Sequence, residues 1–399
     1  MPRSRRTPDM AWRVNVDPLR PAEAIEWFRK KVTIRAEEFR QLTDRARRRA
    51  FTVAGITSLN LLEDVYKSLL DALEMGTPYE EWAKNLGPKL EAAWGFTNSY
   101  RTRLVFQQNI LSAYAAGRYA QATQPEVIKA RPYWMFDAVL DSATTETCRQ
   151  LNGTVLRYDH PFWDKNYPPR HFGCRSGVRS LTTEEAARKI SSIAPTAESD
   201  PGFGQRPDLT EWGRDWAKGV ATAADSARWQ PVFIGEAPNW RTYGRPAEIP
   251  YDTLTVPLLP TIAAVGEGAF LEALKESWGG LEAVVADPTG AGTILNAQIL
   301  LDHLDRNKPD GRERFFSLLP DVVANPFEVW LVPLQSDRGA FAFRKYFVKL
   351  YQDDKTERAF LLVLEQQKGA GWTSYTQVYS SRPKYIRDRR IGFLLWGRD

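Results

Sequence analysis

The chain has 399 residues, 54 of them Lys or Arg and 49 Asp or Glu, for a formal net charge of +5. That length argues for two domains rather than one core, and with 43% hydrophobic and 26% charged residues the composition is that of an ordinary globular protein. No apolar run is long enough to cross a bilayer, the basic start lacks the apolar stretch of a secretory signal, and two Cys cannot build a disulfide scaffold, so an intracellular protein, or one assembled inside a cell, is expected.

From about Ala22 to Ala122 the pattern is helical. Ile25, Phe28, Val32 and Phe39 recur at helix-like spacing in the first stretch. Leu62, Val65, Leu69 and Leu73 predict a second helix, with Gly76 as its stop. Thr77, Pro78 and Glu80 read as N-cap, first helical residue and capping-box partner of a third. A fourth runs through "SYRTRLVFQQNILSAYAAGRYAQA", where the small residues from Ala113 to Ala120 allow close helix packing.

The texture changes after Ala130. Short extended pieces, "YWMFDAVL" and "TVLRY", are separated by Asn-Gly, Asp-His-Pro and Pro-Pro turn signals. Thr182 and Glu185 then form a capping box. Residues 191–250 are rich in Pro, Gly, Ser and Asp and suit a linker or wrapping arm. From 251 onward helices come first, in "AFLEALKESWGG", "NAQILLDHLDR" and "RERFFSLLPDVVANP". Four strand-like runs follow, "FEVWLVPL", "RKYFVKLY", "AFLLVLEQ" and "WTSYTQVYS". Helices followed by an antiparallel sheet make a small α+β domain, and the whole chain is α+β: a mainly helical front half with an irregular Cys/His module, a linker, then the α+β domain.

The chain has only two Cys and three His, yet His171 and Cys174 stand three apart beside Pro168 and Pro169. With Cys148 they form three candidate soft ligands, which suit zinc, and Asp141 or His160 could supply a fourth. The alternative is a buried network in which the Cys are small core residues.

The order Asp141, Cys148, "LNG", "DHPFW", "YPP", "CRS" resembles the signature of the phage Mu F-like minor head protein family, also called the phage head morphogenesis family. The helices upstream, with "FRKK", "AFTVAG", "ALEMG" and "QNILSAYAAGRYAQ", resemble it too. Thr145 and Ser176 stand where the Cys-rich members carry further Cys. The resemblance implies a head component over residues 1–190, in contact with portal and capsid proteins during head assembly and DNA packaging. It places the protein in the virion, assembled in the host cytoplasm, with no membrane partner.

Residues 251–399 resemble the barnase/EndoU/colicin/RelE-like nuclease domains at the C-termini of phage head proteins, through "ADPTGAGTILNAQILLDHL", "RFFSLLPDVVANPFEVWL" and "TSYTQVY". That resemblance implies RNA cleavage without metal, and an immunity protein as a partner. Such cleavage needs a base, an acid and cations for the developing charge. His303 is the titratable candidate, Arg344 the phosphate holder, and Thr373 and Tyr375 supply hydroxyls from one face of the last strand. Lys345, Arg382, Lys384 and Arg387 are candidate contacts to RNA or DNA, Tyr385 a candidate for stacking. The rival is a purely structural virion protein whose C-terminal domain binds nucleic acid or capsid without cleaving.

Overall fold

The computed structural model describes residues 21–191, 194–207, 229–254, 256–302, 304, 311–337, 339, 341–353, 358–368, 372–380 and 383–398. His303 and Arg382 lie outside the described residues, as do the side chains of Thr373 and Tyr375.

The front half is helical, with one correction to the periodicity. The first stretch is not one helix: helix Ala22–Arg29 ends and β1 (Val32–Thr33) pairs in parallel with β2 (Ala50–Phe51) around two short helices. Val32 and Ile34 are β-branched, and their amides go to Arg49 O and Phe51 O. Extended pairing thereby satisfies what a helix would satisfy less comfortably. Helix Leu59–Met75 is as the sequence reads: Ser58 Oγ accepts from Leu61 N, Leu62, Val65, Leu69 and Leu73 are buried, and Gly76 closes it in the left-handed region at φ 68°. Helix Tyr79–Trp94 starts one residue later than the capping motif suggests, because Pro78 is itself the extended cap (ψ 159°) and no side chain caps it. Helix Ser99–Ala122 buries Ala113, Ala116, Gly117 and Ala120. A Cβ on Gly117 would stand 3.0 Å from Ala24 N, so the small-residue stripe lets helix Ala22–Arg29 approach this closely.

The middle module is a three-stranded antiparallel sheet, with β3 (Tyr133–Asp137) between β4 (Val155–Arg157) and β5 (Gly177–Leu181). Its core holds Trp134, Phe136, Trp163 and Tyr167, with both Cys packed among them.

The arm and the C-terminal part build a nine-stranded sheet: β6 (Trp229–Pro231), β7 (Tyr251–Thr253), β8 (Glu282–Ala286), β9 (Gly292–Asn296), β10 (Glu328–Ser336), β11 (Phe341–Asp353), β12 (Arg358–Lys368), β13 (Trp372–Ser380) and β14 (Phe393–Gly397). The four strand-like runs form the antiparallel meander β10-β11-β12-β13. Five strands are added: β14 and β6 pair with β10, β7 with β11, and β9, itself paired with β8, with β13. Pro333 sits where the neighbour of β10 changes from β14 to β6. A residue without an N–H is tolerated there.

Over β10 and β11 both faces of this sheet are buried, and the pleat alternates between them. Val329, Leu331, Phe343 and Phe347 face a core shared with the front helices, from Phe28 to Ala113. Trp330, Val332, Tyr346 and Val348 face the arm residues Trp229, Phe233, Trp240 and Tyr243. Polar links reinforce the shared side: Arg35 donates to Leu394 O and Leu395 O at 3.2 and 2.9 Å, and Lys67 to Gly290 O at 2.6 Å.

On the arm side, Glu328 is fully buried and accepts from two guanidiniums. Arg390 donates 2.7 Å bonds to both its oxygens, Arg245 of the arm donates at 2.9 Å, and Trp330 Nε1 adds a fourth at 2.9 Å. All four lone-pair directions of the carboxylate are thus filled.

Candidate functional site

The soft ligands come together. Thr145 caps helix Glu146–Leu151 by accepting from Cys148 N at 3.4 Å, which sets Cys148 in the first turn. Cys174 N donates to His171 O at 3.2 Å, closing the second turn, and Gly173 N is tied to Gln108 Oε1 at 3.0 Å on helix Ser99–Ala122. Cys148 Sγ lies 3.3 Å from His171 Nε2 and 3.9 Å from Cys174 Sγ, and the three donor atoms fall within 4.8 Å of one another. His171 Nδ1 sits 2.9 Å from Phe172 O, a contact in which Nδ1 donates and which turns Nε2 toward the sulfurs.

The Cys174 thiol, with Ser176, Thr145 and His171, holds the Cys148 thiol well below its usual range despite burial. The same hydrogen bond between the two sulfurs, together with burial, pushes Cys174 up. One sulfur is therefore readied as a thiolate. A tetrahedral zinc with Zn–S bonds of about 2.3 Å separates two sulfurs by roughly 3.8 Å, so the spacing fits such an ion. The fourth position does not come from the acid or the imidazole expected. Asp141 is clamped by Arg175 at 2.7 and 2.5 Å, which holds its carboxyl well below the usual carboxylate range. His160 Nδ1 accepts from Phe162 N at 3.1 Å. Thr145 Oγ1, 3.0 Å from His171 Nε2, stands beside the group instead.

In the C-terminal part the predicted cations separate. Arg344 and Lys345 are on opposite faces of β11, and both are buried. The Arg344 guanidinium lies 4.9 Å from the Trp229 ring on the arm face. Lys345, 2% exposed, donates to Asp287 Oδ2 at 2.7 Å and Thr289 Oγ1 at 3.2 Å, with its ammonium 4.6 Å from the Trp372 ring. Asp287 also accepts from Thr289 N at 2.8 Å, which folds the turn between β8 and β9. Lys345 is thus a buried ion-pair partner, not an available phosphate contact. Thr373 lies on β13 opposite Gln367 and beside Ile294 of β9. The basic run at the end divides: Arg390 is buried on Glu328, and Arg389 donates to Tyr385 Oη at 3.1 and 2.7 Å, which engages the tyrosine expected to stack. Lys384 and Arg387 stand exposed on helix Pro383–Arg389.

Residues 63–179 match the family described as phage Mu protein F like protein, and residues 269–397 match the phage-Barnase-EndoU-ColicinE5/D-RelE like nuclease2 family. The chain joins a Mu F-like region to a nuclease-like domain. The F protein of Escherichia phage Mu, named for capsid assembly, is 32% identical over 208 residues, covering 46% of this chain and 47% of that protein. The Mu-like prophage FluMu F protein of Haemophilus influenzae is 35% identical over 163 residues, 37% of this chain and 39% of that protein. The chain thus spans less than half the length of these relatives. No solved structure matches.

The Mu F-like region holds the whole Cys148–His171–Cys174 group, and the nuclease-like domain holds the Lys345–Asp287 pair. Sequence reading missed Asp287 and Thr289, whose only signal is an Asp-Pro-Thr-Gly turn between two short β-rich runs. Removing the ammonium should strand a buried carboxylate: Lys345→Ala should destabilise the protein by about 3 kcal/mol in urea unfolding. The double variant Lys345→Met/Asp287→Asn should recover much of that loss. Unchanged stability in Lys345→Ala would mean that the pair is not formed.

Proposed function

We propose that this chain is a minor head protein that acts in capsid assembly and DNA packaging, and that its nuclease-like domain cleaves RNA without a metal ion. The observation that carries the reading is the succession on one chain of a Mu F-like region and a nuclease-like domain. Portal and capsid proteins would be the partners of the front half, the virion its location, RNA the substrate of the back half and an immunity protein its neutraliser.

Helix Ala297–Asp302, which ends one residue before His303 in sequence, packs on β13, the strand that carries Thr373 and Tyr375. In this reading His303 takes the 2′-hydroxyl proton as the 2′ oxygen attacks phosphorus, the hydroxyls of Thr373 and Tyr375 bond the phosphate oxygens, and the 5′ oxygen departs with a proton from water. The burial of Arg344 and Lys345 favours one rival, a domain that binds nucleic acid or capsid without cleaving. The full chain separates the two. It should cleave a mixed-sequence RNA in buffer without added divalent cations, and His303→Ala should slow this at least about 100-fold. No cleavage by the wild type would favour the rival, and equal rates would remove His303.

We also propose that Cys148, His171 and Cys174 hold zinc, with water or a hydroxyl as fourth ligand. When bound, the ion would supply a structural crosslink between the two turns. The residues themselves bring the turns together, and the bond from His171 Nδ1 to Phe172 O orients the ring. Protein purified under reducing conditions without chelator should carry close to one zinc per chain, and Cys174→Ser should carry less than about a tenth of that. A wild type with less than a tenth would end the proposal.

A further inference from the structure

On the arm side of the sheet, helix Pro383–Arg389 and the arm enclose an open groove of about 600 Å³. Its walls include Trp240 and Arg241 from the arm, and Lys384, Arg387 and Asp388 from the helix. Arg241, Lys384 and Arg387 are exposed and form no ion pair among the described residues, so three cations face one carboxylate. The floor is Arg390, whose charge is spent on Glu328 and whose guanidinium lies 5.3 Å from the Trp240 ring.

The groove is held in shape before any ligand arrives. Trp240 N donates to Arg390 O at 3.0 Å and Gly392 N to Pro238 O at 2.7 Å, while Asn239 bridges to Ile391. Asn239 Oδ1 accepts from Arg241 N at 2.9 Å, and Thr242 Oγ1 from Asn239 N at 3.1 Å, a side-chain-braced turn that fixes the backbone of Arg241. The Arg241 guanidinium stands 5.0 Å from the Trp240 ring. Cations spaced around an indole, in a preformed hollow, match what single-stranded nucleic acid presents: phosphates along one side and unpaired bases that stack on aromatic or guanidinium planes. A duplex keeps its bases stacked inside and offers only its phosphates to such a recess.

The geometry points to a binding site for single-stranded nucleic acid built jointly by the arm and the nuclease-like domain, with Arg241, Lys384 and Arg387 on phosphates and Trp240 with Arg241 on a base. This assignment rests on the reading of RNA as substrate and extends it to a track outside the reacting atoms. It also gives the arm a role in recognition.

The test uses the full chain and a 2′-O-methyl RNA decamer of mixed sequence, which cannot be cleaved through its 2′ oxygen, so binding is read apart from reaction. Fluorescence anisotropy at about 0.1 M salt should show Lys384→Glu/Arg387→Glu at least about tenfold weaker than wild type. Lys384→Ala/Arg387→Ala should lower the slope of log affinity against log salt by about 1.4. Arg241→Ala should weaken binding several-fold. All three variants replace exposed side chains, so their thermal unfolding should match the wild type. Duplex DNA of the same length should compete poorly. Wild-type affinity in the charge-reversed variant would overturn the site even if RNA cleavage persists. Loss of binding in the variant, with no cleavage by the wild type, would uphold the groove and remove the nuclease reading. Equal competition by duplex DNA would overturn the single-strand assignment.

Discussion

A single buried carboxylate holds the back half together. Glu328 sits at the start of strand β10 with no exposure, and its partners come from three places in the chain: Arg245 from the arm, Arg390 from the turn before β14, and Trp330 from its own strand. An ion buried without full compensation costs several kcal/mol, and removing one partner of such a group costs about 3–5 kcal/mol. Both guanidiniums must stay in place for the buried carboxylate to keep its ion pairs. That requirement fixes the arm to the sheet and the last strand to β10. It also fixes Trp240, which lies over Arg390 and carries one wall of the basic groove.

The second constraint is that the sheet has no free face over β10 and β11. One side is filled by the front helices and the other by the arm. The Mu F-like region and the nuclease-like domain thus share one hydrophobic core, and the carbonyls of Leu394 and Leu395 are capped by Arg35 of the front half. Relative motion of the two would expose that core, so a partner of one part meets a surface whose position is set by the other. The Cys/His module stands on a core of its own, built on Trp134 and Trp163.

What was legible in the sequence follows from how each part is buried. Helix Leu59–Met75 has one buried stripe, so its period and its Gly76 stop are plain. The meander strands are long and bounded by turn-rich stretches, so they too are readable. Arg344 and Lys345 mislead because a strand buried on both faces hides its cations against Trp229 on one side and Asp287 on the other, which spacing along one strand cannot reveal. Ile25, Phe28, Val32 and Phe39 have helix-like spacing, yet the pairing of β1 with β2 takes Val32 out of the helix. The metal-type group needed the order of its turns as well as its three ligands. The groove is invisible locally, since Trp240 and Arg387 meet only after the arm has docked.

Residues 229–250 of the arm are a wall of the C-terminal domain and not a tether. Hydrogen exchange measured by mass spectrometry on the full chain tests it most directly. The amides of Val232, Trp240 and Arg245 donate to Pro333 O, Arg390 O and Trp240 O. They should exchange within about tenfold of the rates in β10, as one cooperative unit. Exchange of these arm amides within seconds at neutral pH, while β10 stays protected, would contradict the account.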